Sequence, residues 1–316
     1  MEEIVKLKKD WKLSELSKII ACSIVGPDIT ISALNFSNRD SEQECVLAFA
    51  TSQSIIEKAS LNLNVKAIIT SPAIYHALIP DIQNRFSFII SDNPEPSFYH
   101  LFIHLVENNY YRQCDWKTEL NNAVLQESVV IEDGVVIGNN VEIGAFSIVK
   151  RGTMLGDNVK IGSCCVIGGD GFQLIKDENG NNMLIPHIGR LKIGNNVSIC
   201  DNVSINRSLF SGYTEIGDYV KIDSHVYVAH NCRVGNNSVI TANCTIFGSA
   251  TIRDNVWIAP NSAIMNKVVV GSNAFVCAAT FVMEDVTPGD KVFGVPALPM
   301  KEYKKQKAIA SMRDGK

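Results

Sequence analysis

From residue 125 onward, aliphatic side chains return at every sixth position. They occupy Leu125, Ile131, Ile137, Ile143, Val149, Leu155, Ile161 and Ile167, then Ile193, Ile199 and Ile205. From Ile216 to Val282 they run unbroken, which brings the positions at this spacing to 23, in three registers. Two places before each stands a small or β-branched residue, such as Val141, Thr153, Cys232, Ser238, Ala250 or Ser262, and glycine often follows, as at Gly138, Gly156 and Gly235. A period of six fits neither a helix nor an alternating strand. It is the signature of a parallel β-helix built from hexapeptides, three to a triangular coil of eighteen residues, with the aliphatics stacked inside. Each coil buries its core only against its neighbours.

The first part of the chain follows different rules. "DWKLSELSKII" and "SFYHLFIHLVENNYY" read as amphipathic helices, and "CVLAFA", "VKAIITS" and "FSFIISD" as short buried strands. Pro72, Pro80, Pro94 and Pro96 punctuate the loops. This predicts a small α/β domain over 1–110, a β-helix over 111–287, and a Pro/Gly-rich exit with a short basic helix over 288–316. Two phase breaks, at 168–192 and 206–215, predict loops thrown out of the coil, the second adding five residues. Such excursions from a solenoid usually line its binding face.

Composition narrows the function. With 46% hydrophobic and 20% charged residues the chain is globular. A net charge of −4 argues against nucleic acid as the main partner. The basic stretch is 301–316, where Lys301, Lys304, Lys305, Lys307 and Arg313 are candidates to meet an acidic carrier protein or coenzyme A phosphates; a solvated helix end is the plain alternative. The charged start "MEEIVKLKKDWKL" has no apolar core of a signal peptide, and no apolar run reaches membrane-spanning length. Nine cysteines with no CxxC pair read as reduced thiols of a cytoplasmic protein, Cys165, Cys232 and Cys244 filling small-residue slots of the repeat. His100 and His104, at i, i+4 spacing, lack the glutamate of a metalloprotease helix and read as helix-face histidines.

The candidate chemistry lies in "KIDSHVYVAHNCRVGNN" (221–237). Residues eighteen apart lie on adjacent coils, so His230, Gly248 and Asn266 form one column. An imidazole suits a general base, and a glycine lets a reactant approach the main chain, where its N–H can face an oxyanion. Against this stand an outward slot filled by a polar residue, and a zinc site of His187, His225 and His230 like that of γ-class carbonic anhydrases. Spacing alone leaves these open.

The segments "GGDGF" (168–172), "IPHIGRLKIG" (185–194), "KIDSHVYVAHN" (221–231), "FGSATI" (247–252) and "VFGVPALP" (292–299), with the opening "WKLSELSKIIACSIVGPDITISALN", resemble the LpxD family, UDP-3-O-acyl-glucosamine N-acyltransferases of lipid A synthesis. The resemblance runs in order along nearly the whole chain. It implies a homotrimer of left-handed β-helices, exceptions to the right-handed crossover rule. It also implies a general base at His230, an oxyanion glycine at Gly248, and Asp223 either orienting that base or binding the sugar. The substrate-binding candidates are Phe49, Asp170, Phe172, Arg207, Asn231, Asn266 and Lys267, the lysine placed to neutralise a donor phosphate.

Departures fall on ligand-facing motifs. The family's uridine clamp, roughly Phe-x-x-Asn-Pro-x-Tyr, reads "FATSQSI", which keeps Phe49 but puts Ser52, Gln53 and Ile55 at the other places. "IDRG" has become "INRS" (205–208), and the C-terminal extension is short. The expected reaction is transfer of an acyl group, a 3-hydroxyacyl in the leading case, from acyl carrier protein or coenzyme A to a nucleotide-linked amino sugar, with no bound cofactor or metal. The alternatives are the same reaction on a dTDP-linked deoxy-amino sugar, the zinc enzyme, and a non-catalytic scaffold. Phe247, Met265 and Met283 are candidates for the floor of the acyl groove.

Overall fold

The computed structural model describes residues 6–37, 44–112, 116–177, 179–295 and 297–313, so Pro296 lies outside the description, as does the side chain of Arg313. The chain divides into two compact units. One comprises Met1–Cys114 with Phe172–Ile188 and Phe210–Gly212; the other comprises Asp115–Gly171, Gly189–Leu209 and Tyr213–Lys316.

The second unit is a left-handed parallel β-helix. Its strands are mostly two residues long and pair in parallel with the strand eighteen residues on, as Ile222 does with Ile240 and Ile246 with Ile264. The pairing offset widens where the phase breaks predict it: Leu155 pairs with Ile193, and Ile193 with Ile216. Among the described residues the three faces hold seven, ten and eight strands. The phase-six aliphatics from Ile137 to Val282 are buried and form one continuous core with Cys165, Cys232 and Cys244. Burial raises the thiol pKa of Cys165 and Cys244, which keeps them inert small fillers. The Pro/Gly-rich exit stays attached to the prism, since Lys291–Phe293 pairs with Phe275 and Val276, and Leu298–Pro299 folds back on it. The basic helix Met300–Arg313 follows, with Tyr303 edge-on to Phe293.

Three residues after most core aliphatics the chain turns a corner with positive φ, as at Asn140 (55°), Asn237 (56°), His225 (60°) and Asn231 (61°). Asparagine tolerates this region better than most side chains, which explains its recurrence. His225 is therefore an exposed corner residue.

The first unit carries a five-stranded sheet in the order Ser23–Val25, Ser87–Ile90, Val65–Thr70, Val46–Phe49, Ala33–Leu34, antiparallel only at its first pair. Three of these strands, Val46–Phe49, Val65–Thr70 and Ser87–Ile90, and the helices Leu13–Ile19 and Pro94–Glu107 fall where the apolar runs predict them; Ser23–Val25 and Ala33–Leu34 were not foreseen. Half-buried Phe49 lies 5.0 Å from Phe98 and 5.7 Å from Tyr99. Phe36, Phe102 and Phe210 complete this aromatic cluster. Most of the first insertion belongs to this unit as an antiparallel hairpin, Leu174–Lys176 with Asn182–Leu184.

Candidate active site

His230 follows the strand Tyr227–Val228 by two residues and is half-buried at a corner. Its Nδ1 lies 2.9 Å from Oδ1 of Asn231. That oxygen also accepts the N–H of Leu209 at 3.1 Å, while Nδ2 donates to Ser208 Oγ at 2.6 Å. A backbone N–H can only donate, so Leu209 fixes which end of the amide faces the ring. The imidazole must then carry its proton on Nδ1, and in the neutral ring Nε2 holds the lone pair. Nε2 points over Gly248, where a Cβ would lie 2.9 Å from it. Among the described residues the Gly248 N–H meets no acceptor in the chain, whereas its carbonyl takes the N–H of Lys267 at 3.1 Å.

The columns on either side change character at His230. In the coils before it stand Glu132, Lys150, Arg151, Asp170 and Arg207. Arg207 Nε donates to Asp170 Oδ1 at 2.7 Å, and its Nη2 reaches the same oxygen at 2.5 Å. The Arg151 N–H donates to Glu132 Oε2 at 2.9 Å; that bond, with Lys150 and Arg207 nearby, lowers the Glu132 pKa. In the coils after it Phe247, Met265 and Met283, at the place next to the column of His230, are all exposed. One corner thus offers charge on one side of the imidazole and an apolar strip on the other.

Of the candidates, His230, Asn231 and Gly248 come together, as do Asp170 and Arg207. Asn266 and Lys267 are exposed on the coil beyond Gly248. The Asp223 carboxylate accepts the Ser224 N–H at 2.7 Å, while the imidazole Nδ1 is engaged by Asn231. Phe49 and the 72% exposed Phe172 belong to the first unit. Asn231, read from the sequence as substrate-binding, is 7% exposed, and its amide meets Ser208, Leu209 and His230. Ser208, Leu209 and Thr214 were missed, because only the length of their insertion was visible. Buried His187, in the first unit, sets its Nδ1 3.1 Å from the carbonyl of Ile185. Among the described residues no group of three His, Cys, Asp or Glu side chains is arranged to hold a metal ion.

A profile of bacterial transferase hexapeptides (six repeats) matches residues 134–169, and one described as the GMPPB C-terminal domain matches 207–310. The UDP-3-O-acylglucosamine N-acyltransferase of Campylobacter curvus is 30% identical, over 94% of this chain and 97% of that protein. This chain belongs to that family. The corresponding protein of Campylobacter lari is 28% identical over 96% of this chain and 99% of its own length. Among solved structures, LpxA from Acinetobacter baumannii is 23% identical with a TM-score of 0.42, covering 60% of this chain and 77% of that one. As a member of the UDP-3-O-acylglucosamine N-acyltransferase family, the chain is an amide-forming acyltransferase, and the residues at its corner carry groups suited to that reaction. Among the described residues no helix is long and apolar enough to cross a membrane.

Proposed function

We infer that the protein transfers an acyl group from a thioester to the amino group of a UDP-linked 3-O-acylated glucosamine, as its relatives are named for doing, in lipid A synthesis in the cytoplasm. The observation that carries this reading is the placing of the His230 imidazole, its Nδ1 against the Asn231 oxygen and its Nε2 over Gly248. The neutral amine attacks the thioester carbonyl and Nε2 takes the proton it sheds. A C–N bond forms, and the oxyanion develops beside the Gly248 N–H. Collapse breaks the C–S bond, and the imidazolium returns its proton to the departing thiolate.

The charged coils with Arg207 and Asp170 suit the sugar and its diphosphate; the strip of Phe247, Met265 and Met283 suits the acyl chain. Asp223 is assigned to the sugar, because Asn231 already holds Nδ1. Phe49 supplies a ring for the base of the nucleotide, and Lys267 a cation for the donor's phosphate. The thioester is a co-substrate and the reaction needs no bound cofactor. The working form is a homotrimer, and the lysines of Met300–Arg313 are the surface for acyl carrier protein. Thiol release from an acyl-carrier-protein and acyl-CoA panel tests the reading: no release with a UDP-linked 3-O-acylglucosamine overturns it.

One observation favours a second acceptor. At the place of the family's clamp tyrosine, Ile55 is half-buried and packs into the core of the first unit, so no second ring faces a base there. A dTDP-linked deoxy-amino sugar acylated from coenzyme A fits that loss. Calorimetric titration with UDP- and dTDP-linked sugars decides between them by which nucleotide binds more tightly.

A further inference from the structure

The asparagines at the corners of the β-helix are not equivalent. Asn140, Asn237, Asn255 and Asn273 have the same left-handed backbone as Asn231, yet their side chains are exposed. Asn231 is 7% exposed, and what covers it is the five-residue insertion between Ile205 and Ile216, through Ser208 (1%), Leu209 (0%) and Thr214 (0%). Three hydrogen bonds from this insertion reach Asn231: Ser208 Oγ accepts from Nδ2 at 2.6 Å, the Leu209 N–H donates to Oδ1 at 3.1 Å, and Thr214 Oγ1 accepts the Asn231 N–H at 2.8 Å. The backbone of Ser208 is itself held by the carbonyl of fully buried Arg190 at 3.1 Å.

We propose that this insertion is a tautomer lock. It immobilises the Asn231 amide so that its oxygen, and not its nitrogen, meets His230 Nδ1, and the proton stays on the nitrogen remote from the reacting amine. A corner asparagine in water could turn either end to the ring; with Leu209 in place only one orientation satisfies both partners. Asn231 is thus a positioning residue and touches no substrate. This rests on His230 being the general base.

Three variants test it with the full-length enzyme. Asn231→Gly keeps the left-handed corner unstrained while deleting the amide. It is expected to lower kcat by about 10–100-fold, with KM changing by less than about 3-fold, as for other lost orienting partners. Asn231→Asp keeps the acceptor but adds a charge that stabilises the imidazolium. It should retain most of kcat and move the acid limb of the kcat/KM profile up by about one pH unit. Nitrogen-15 spectra of histidine-labelled protein should show Nδ1 protonated in the neutral ring of the parent and in Asn231→Asp, and a tautomer mixture in Asn231→Gly. Wild-type kcat in Asn231→Gly, or an unmoved acid limb in Asn231→Asp, overturns the lock. Asn231→Asp, being isosteric, keeps the test decisive if the glycine variant unfolds. His230→Ala in the same assay separates the two ideas: if it is nearly inactive while Asn231→Gly is normal, the lock alone fails; if it is active, the base fails and the lock with it.

Discussion

Two corners of the same β-helix show what the hexapeptide rule does when it serves the fold alone and when it serves chemistry as well. At the corner following the seven-stranded face, Asn139, Asp157, Asn195, Asp218, Asn236 and Asp254 form a ladder. Each of the first five donates its backbone N–H to the side-chain oxygen of the next residue up, at 2.6–2.8 Å. Amide and carboxylate alternate, so no two like charges are adjacent along the column. The place before each is often glycine for a packing reason: a Cβ on Gly156 would lie 2.7 Å from the carbonyl of Gly194. At the His230 corner this upkeep is given up. Gly248 brings no side chain to cap the coil below, its own N–H is left without an acceptor among the described residues, and the neighbouring column carries Phe247, Met265 and Met283 instead of glycine. The first corner uses its polar groups on itself; the second leaves the Gly248 N–H without an acceptor among the described residues.

The sharpest way to break the contrast is to write the structural corner onto the proposed catalytic one. His230→Asn installs the residue that Asn236 supplies in the next hexapeptide. It should leave the melting temperature within a degree or two of the parent and cut kcat by about 10²–10⁴-fold in a thiol-release assay. A loss of only a few-fold would mean that the two corners do not differ in function. The next largest effect is expected from Gly248→Ala. The backbone there has no positive φ that would strain an alanine, so the sole obstacle is the imidazole, 2.9 Å from the added Cβ. The ring has to give way, and a displacement of about 1 Å costs on the order of 10² in kcat. Unchanged kcat in Gly248→Ala would show that the ring's place over this glycine is immaterial to the reaction.

How visible this contrast is in the sequence depends on whether the repeat carries it. The six-residue phase reveals the coil, and adding eighteen to a residue number finds its neighbour, so the column of His230, Gly248 and Asn266 was legible without coordinates. The step from Arg207 to His230 spans 23 residues across the insertion, so the rule of eighteen does not find it. What escaped lies where the phase is broken. Ser208 and Thr214 carry no pattern of their own, and their hydrogen bonds to Asn231 depend on how an irregular segment folds back across a corner. Hence the burial of Asn231 under Ser208 and Thr214 could not be read from the sequence. Phe49 was legible as an aromatic at the family's clamp position, but not as one ring in a cluster with Phe98 and Tyr99, since no repeat ties those segments together.

The structural corner should respond in the opposite sense, in stability and not in rate. Asp218→Ala removes the acceptor that caps the Asn195 N–H at 2.6 Å and leaves that group to water. The expected cost is about 1–2 kcal/mol, as for loss of a helix cap. For a protein of this size that is roughly 2–4 °C per kcal/mol in melting temperature. kcat should not move. Asp218→Asn keeps an oxygen in place and should sit near the parent on both measures. A fall in kcat with no fall in melting temperature would mean that the ladder corner is not purely structural.

The smallest effect lies at the charged end of the His230 corner, where the two uses of polar groups overlap. Glu132 caps the Arg151 N–H as a ladder residue would, and the lysine and arginine beside it make its carboxylate more acidic than usual. A carboxyl whose folded pKa is depressed adds stability above its unfolded value, near the ordinary 4.5, and loses it as the pH falls through the lower folded value. Because the side chain is about 40% exposed, solvent screens the charge and the contribution should be under about 1 kcal/mol. Glu132→Gln should therefore be slightly less stable than the parent at pH 7 in urea denaturation. The gap should close below pH 4 to 5 as the parent's carboxyl takes up its proton, roughly where an ordinary glutamate titrates and just under it. A gap that persists unchanged to pH 3 would assign the effect to the shape of the side chain instead of its charge. Glu132 would then belong with the uncharged fillers of the coil, and the charged end of the groove would begin at Arg151.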